Sequence, residues 1–457
     1  MSSNEIPLQT DFPAEEFQAR RARVLSHIGK DAVLLMQGVG TTPGFSMPRQ
    51  KNEFYYLCGV ETPHAYLLVD GRTEKTTLFL PPRNPRLEAA EGKLLSAEDV
   101  DFARARCGVD DLRSNHEMTG DWLRLEGRLP KTIFTLLSPA EGNTEPRHEL
   151  NYANSTTAGD FWDGRLSKEA HFAGLLKSRY PQCGVEDITP CLDDLRSVKS
   201  RREIDLLRRA SRIGGLALIE AMRSSRPGVR EYELGAVARY VYLAHGARLD
   251  GYRPIIASGT ENISNVHYYR NSGELRDGDL VLFDYAPEVG YYSSDVTRMW
   301  PASGKFLPWQ RELLQFVLEY RDEIFKRTKP GRRTAEIREE VKAAMEPGLA
   351  GRFSKDIYRA GAQKLLDTGG GVFSHPIGMA VHDDGPYSDG PLKPGHVFTL
   401  DPQLWVPEER LYVRYEDPVA ITEDGIENMT GFLPSELDDI EREVQRGGGL
   451  LQAFPPA

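Results

Sequence analysis

The sequence predicts a mixed α/β (α+β) protein of two domains, the second of them built from two similar halves. Three observations lead there. Short apolar runs of strand length alternate with longer runs at helical spacing. A polar stretch with Gly184 and two prolines, near Tyr180–Pro190, divides the chain. After it, the order helix, Pro-Gly, helix, strand, Asp occurs twice. The 457 residues are enough for two domains, expected at 1–178 and 179–457.

In the first domain, residues 15–30 read as a helix rich in Arg and Ala. DAVLLMQG, bounded by Gly38, suits a buried strand. NEFYYLCGV, HAYLLVDG and TTLFLPP read as further strands, and helical patches follow near LEAAEGKLL and around 158–178. This domain has histidines but no tight cluster of ligand types, so it reads as scaffold or assembly. In the second domain a helix starts near Ser200. Leu206, Leu207, Ala210, Ile213, Ala217, Leu218 and Ala221 recur along it at helical spacing, and it stops before Pro227-Gly228. The tail SELDDIEREVQ offers a short helix, with a loose end after it.

Composition narrows the function. A net charge of -11 argues against a general nucleic-acid binder and against an anionic membrane surface. No apolar run reaches the roughly 18 residues of a membrane span. The first residues, MSSNEIPLQTDFPAEEF, lack the basic and apolar regions of a signal peptide. Cys58, Cys107, Cys183 and Cys191 form no CxxC pair and are too sparse for a disulfide scaffold. They read as reduced, mostly buried thiols of a cytoplasmic protein.

The repeat carries the chemistry. RPGVREYELGAVARYVY, from Arg226, resembles KPGRRTAEIREEVKAAM, from Lys329. DGDLVLFD ends at Asp284 and PGHVFTLD ends at Asp401. If the halves face each other across a pseudo-two-fold axis, a site between them draws one Asp from each. Asp284 and Asp295 flank a hairpin whose turn lies in PEVG, with a midpoint between Val289 and Gly290. Residues equidistant from a hairpin turn sit opposite one another, with Cβ atoms about 4.5–5.5 Å apart, so both carboxylates face one way. Asp401 and Glu416 are centred in the same manner on Glu408–Glu409, in VPEER. Facing carboxylates repel unless a cation or a shared proton compensates. Four of them with one imidazole suit Mn(II), and also Co(II), Zn(II) or Fe(II), as a pair of ions about 3.5–4 Å apart.

The imidazole comes from SHPIGMAVHDD. His375 and His382 are an odd number of residues apart, so a straight strand would put them on opposite faces. Both reach one cavity only if the chain bends at Pro376 and Gly378. His267, in SNVHYYRN, precedes the first Asp strand.

At these residues the sequence resembles the pita-bread metallopeptidases, and among them the Xaa-Pro aminopeptidases (aminopeptidase P). The resemblance lies in LRSVKSRREIDLLRRAS, NVHYYRNSGELRDGDLVLFDYAPEVGYYSSDVTRMWPASGKF, SHPIGMAVHD, KPGHVFTLDP and VRYEDPVAIT, and in NEFYYLCGVETPHAYLLVDG near the N-terminus. It implies a C-terminal pita-bread catalytic domain behind a smaller α/β domain, and a homodimer or homotetramer. It implies Asp284, Asp295, His375, Asp401 and Glu416 as ligands of two divalent ions, with Asp295 and Glu416 bridging them. His267 and His382 match histidines that orient substrate and stabilise the tetrahedral intermediate, and Arg414 matches an active-site arginine. The reaction implied is hydrolysis, by a metal-bridging hydroxide, of the Xaa-Pro bond of peptides with proline second.

The sequence departs from the family at Asp401-Pro402-Gln403, where the pattern is Glu-Pro-Gly. That glutamate is both ligand and expected proton shuttle, and Asp is one methylene shorter. Three other readings stay open: a prolidase acting on dipeptides, a metal-free hydrolase of the creatinase kind, and a catalytically weakened binding protein.

Overall fold

The computed structural model describes residues 6–41, 44 and 46–453. It divides into two compact units, Met1–Arg196 and Ser197–Ala457.

The first unit is organised by one sheet. Its strands are β1 (Ala32–Gln37), β2 (Tyr66–Asp70), β3 (Lys75–Leu80), β4 (Asp111–Ser114), β5 (Thr132–Thr135) and β6 (Gly184–Asp187). They lie in the order β4-β3-β2-β1-β5-β6. β1, β2 and β3 are antiparallel neighbours, while β4, β5 and β6 join in parallel. Val33, Leu35, Leu68, Phe79 and Ile133 bury one face of the sheet with Leu176 and Tyr180.

Three expectations change here. NEFYYLCGV is a helix, Asn52–Cys58, rather than a strand. All seven of its residues are buried, so its sequence carries no periodicity that separates the two forms, and Gly59 ends it in the left-handed conformation at φ 68°. The helical patch around 158–178 is two helices, Arg147–Ala158 and Lys168–Arg179, with a connecting loop. The division expected after residue 178 falls inside the first unit, because residues 184–187 pair with Thr132–Thr135 and complete the sheet.

The second unit opens with helix Arg201–Ser224. Ser200 and Glu203 form a capping box at its start, and all seven apolar residues expected on its inner face are buried. Helix Glu231–Ala244 follows, then β7 (Leu249–Asp250), β8 (Ile255–Ser258), β9 (Leu280–Asp284), β10 (Pro287–Val289), β11 (Tyr292–Ser293) and β12 (Thr297–Pro301). Helices Pro308–Arg327, Thr334–Met345 and Asp356–Thr368 lead into β13 (Val397–Leu400), β14 (Gln403–Val406), β15 (Leu411–Arg414), β16 (Asp417–Ile421) and β17 (Ile426–Asn428).

The repeat is visible in the pairing. β9 lies between β8 and β12. In the second half β13 pairs with β16, and residues 374–377 take the place of β8 beside β13. Ser374 N donates to Thr399 O at 3.1 Å, Thr399 N to His375 O at 3.1 Å, and Ile377 N to Val397 O at 3.3 Å. Each half also carries an inner hairpin, β10–β11 or β14–β15, between its two long strands. Helix Leu437–Arg446 forms near the C-terminus as expected. The end beyond it is tied down in part, since Leu450 N donates to Glu220 Oε1 at 2.6 Å, and residues 454–457 lie outside the described residues.

Leu207 is fully buried in helix Arg201–Ser224. Leu207→Ala is expected to lower unfolding free energy by about 2–5 kcal/mol, read from the shift of the denaturant midpoint.

Candidate metal centre

Asp284 ends β9, and its register partner on β12 is Thr297 rather than Asp295. The hairpin turn sits one residue later than the midpoint expected. Val289 pairs with Tyr292, and Gly290 and Tyr291 take φ 57° and 74°. Positive φ at both central residues is the two-residue turn that matches strand twist. Asp295 therefore lies two residues from Asp284's partner. The alternation of strands keeps it on the same face. Tyr252 marks the convergence, because its hydroxyl lies 2.7 Å from Asp284 Oδ1 and 2.8 Å from Asp295 Oδ1, with one proton shared between the two acceptors.

The second hairpin keeps the expected register. Gln403 pairs with Arg414 on the inner side and Leu400 with Asp417 on the outer side. Asp401 and Glu416 fall between these ladders, opposite one another. Glu416 instead bridges to Thr297 of the other half, with N–H···O contacts of 3.2 and 3.4 Å. Thr297 Oγ1 also donates to Glu416 Oε2 at 2.8 Å. Thr297 thus faces Asp284 on one side and holds Glu416 on the other.

Asp284, Asp295, Asp401 and Glu416 are all buried. Burying a carboxylate without a counter-charge is costly, and Arg414 supplies one. Its Nη1 donates to Asp284 Oδ2 and its Nε to Asp401 Oδ1, both at 2.9 Å, and its Nη2 to Glu416 Oε2. One guanidinium does not balance four carboxylates. Burial pushes Asp284 up to about 7 against the pull of Arg414, with Asp295 adding repulsion. Burial likewise pushes Asp401 up to about 6 and Glu416 well above the ordinary range, again against Arg414. Asp295 moves the other way: burial opposes its charge, but hydrogen bonding to His375 and that ring's charge outweigh it.

His375 and His382 meet as the bend at Pro376 allows, with ring centroids 4.0 Å apart. The return is tied by Asp383 N donating to Pro376 O at 2.9 Å. His375 Nε2 lies 3.3 Å from Asp295 Oδ2 and 3.9 Å from Glu416 Oε1. Two groups of ligand atoms result, Asp284 with Asp295 and Glu416, and Asp295 with His375 and His382, each within 4.8 Å. Asp295 belongs to both. Asp401 is in neither; its oxygens are taken by Arg414 Nε and Gln403 Nε2. His267 lies on an exposed turn, where its carbonyl accepts from Arg253 at 3.4 Å, and it is in neither group.

The donor set suits a divalent cation. Hard oxygens and imidazole nitrogen converge, and Glu416 Oε1 is buried with no hydrogen-bond partner among the described residues. Sequence reasoning does not find Tyr252 or Thr297, and it marks Gln403 only as part of the departure at Asp401-Pro402-Gln403. Thr297 had a signal, standing two residues beyond Asp295 on the same face. Tyr252 had none, since only tertiary folding brings its loop to the hairpin.

A buried acidic and imidazole centre between two similar halves defines a metal-dependent hydrolase. Metallopeptidase family M24 matches residues 205–423, and the N-terminal domain of aminopeptidase P matches residues 17–128. The chain is 30% identical to a Xaa-Pro aminopeptidase of Haemophilus influenzae, over 96% of this chain and 99% of that one. It is 30% identical to the Xaa-Pro aminopeptidase of Escherichia coli, over 94% and 98%. Zinc-substituted E. coli aminopeptidase P in complex with product superposes with a TM-score of 0.75 at 29% identity, over 96% of this chain and 99% of that one. The chain belongs to the Xaa-Pro aminopeptidases of metallopeptidase family M24, and is a metallo-aminopeptidase of the expected two-domain fold.

Tyr252→Phe removes the one hydroxyl shared by Asp284 and Asp295. It is expected to destabilise the protein in chelator by roughly 1–3 kcal/mol, measured by denaturant unfolding, with a smaller loss when Mn(II) is present.

Proposed function

We propose that this chain hydrolyses the Xaa-Pro bond at the N-terminus of peptides, using two divalent ions of which Mn(II) is the first choice and Co(II), Zn(II) or Fe(II) the others. The observation that carries the reading is the meeting of Asp284, Asp295, Glu416, His375 and His382 in two ligand-atom groups that share Asp295. Asp284, Asp295, His375 and Glu416 would hold the ions, with Asp401 as the fifth ligand. Bound there, the ions supply a nucleophile at neutral pH and polarise the scissile carbonyl.

The chain's own groups do the rest. Tyr252 orients Asp284 and Asp295, and Thr297 orients Glu416. Arg414 offsets the negative charge of three carboxylates. Asp401, pushed up to about 6 by burial, takes a proton from the nucleophile and passes it to the leaving proline nitrogen. His382 and His267 donate hydrogen bonds to the substrate carbonyl as charge develops on its oxygen. Proline second in the substrate presents a nitrogen without N–H and a fixed φ, which a shaped site separates from ordinary peptides. The protein acts as a homodimer or homotetramer in the cytoplasm, where its four free thiols would stay reduced.

One observation favours a weaker enzyme: Asp401 stands outside both ligand groups. Metal content separates the readings, with about two ions per chain expected for the enzyme and none, even after adding Mn(II), for a binding protein.

Mn(II) is expected to raise the melting temperature by mass action, about 2.7 kcal/mol of added stability at a hundred times Kd. Asp295→Ala is expected to abolish both that rise and Xaa-Pro cleavage; retention of both would refute the proposal. Longer Xaa-Pro peptides are expected to be cleaved faster than Xaa-Pro dipeptides, and the reverse preference would indicate a prolidase.

A further inference from the structure

Gln403 stands where the family pattern has glycine, and the structure is built around it. The run Gly369-Gly370-Gly371 turns with φ of +78°, +42° and +80°, a conformation that glycine adopts without strain. A Cβ at Gly371 would lie 2.7 Å from Asp401 O and 3.1 Å from Gln403 Nε2, and one at Gly370 would lie 2.7 Å from Gln403 O. Gln403 N donates to Gly370 O at 2.7 Å. A side chain at Gly370 or Gly371 would therefore run into this backbone or this amide.

The amide is aimed. Gln403 Nε2 donates to Asp401 Oδ2. The other oxygen of Asp401 accepts from Arg414 Nε at 2.9 Å. Gln403 and Arg414 are register partners on β14 and β15, so one strand pair carries both donors at fixed spacing. A carboxylate held at both oxygens has lost the freedom to swing about its χ torsions, and the groups that hold a ligand commonly set metal affinity by tenfold or more.

We propose that Gln403 is a positioning residue: together with Arg414 it sets where the short Asp401 carboxylate lies relative to Asp284, Asp295 and Glu416, and so compensates for the missing methylene. The inference rests on the function proposed above, since it gives Asp401 a place in that site. Asp401 and Gln403 then form one unit, and changing either alone damages what changing both restores.

The test is a double-substitution cycle on the full-length chain. Wild type, Asp401→Glu, Gln403→Gly and the combination are compared, with Gln403→Met as a variant that keeps volume but lacks the donor. Mn(II) affinity and stoichiometry are read by calorimetry, kcat and KM on a Xaa-Pro peptide, and melting temperature in chelator. Gln403→Met is expected to lose about 10–100-fold in Mn(II) affinity or kcat, with KM and the chelator melting temperature close to wild type. Asp401→Glu is expected to help in the Gln403→Gly background and to harm in the wild-type one, a change of sign that independent sites do not give. Wild-type affinity and kcat in Gln403→Met, or losses that simply multiply, would overturn the inference and leave the proposed function standing. A wild type that binds no Mn(II) and cleaves no Xaa-Pro peptide would overturn both.

Discussion

Negative charge that the fold buries must be balanced where it lies, and the catalytic unit is arranged around that requirement. Asp284, Asp295, Asp401 and Glu416 occupy one buried site, and a carboxylate in low dielectric has no cheap way to stay ionised alone. Arg414 reaches three of them and His375 the fourth. The adjoining layer repeats the solution. Asp417, next in sequence to Glu416, is paired with Arg298 at 2.5 Å and Arg321 at 3.4 Å. Although burial raises it, these two cations hold its carboxyl below the usual range. The contrast is informative. Asp417 has its full complement of positive charge within the protein, whereas the four site carboxylates do not. The shortfall is what makes the site a place for divalent cations rather than a structural salt-bridge cluster.

The backbone explains how four acids come to one point. Regular strand pairing by itself sets each pair of carboxylates on one face of its own sheet. In both halves the ladder breaks at the acids: β9 and β12 hand over to β10 and β11, and β13 and β16 hand over to β14 and β15. The break at Glu416 frees its N–H and C=O to bridge to Thr297. That bridge joins the two halves of the repeat by backbone at a site acid itself, and Ser293 N, donating to Gly378 O at 2.8 Å, joins them again. Register here is functional. A slip of one residue would turn each acid to the opposite face.

Much of this is legible in the sequence, for identifiable reasons. The hairpin tip lies at Glu408–Glu409 as its spacing predicts, because Val406 pairs with Leu411 and the turn between them is symmetric about that point, so Asp401 and Glu416 face one another. The first tip was displaced by one residue because both Gly290 and Tyr291 take positive φ, and a tyrosine in that conformation gives no signal in sequence. The shared face of Asp284 and Asp295 survived the error because side chains alternate with a period of two. NEFYYLCGV reads as a strand and folds as a helix, because a segment buried on every side loses the pattern that distinguishes helix from strand.

The sequence alone determined the periodic elements, the duplication, and the list of acids and imidazoles, since spacing along a strand or helix fixes which side chains share a face. It also exposed the departure at Asp401. Tertiary structure alone decided which groups surround those acids. Tyr252 reaches Asp284 from a loop and Thr297 reaches Glu416 from the other half, and contacts of that kind have no period in the chain; Gln403 is near Asp401 in sequence, but only the folded backbone aims its amide at that carboxylate. It decided too that Asp401 lies with Arg414 and Gln403 and outside the tight ligand groups, because a methylene's difference in reach acts only once the backbone has been placed in space.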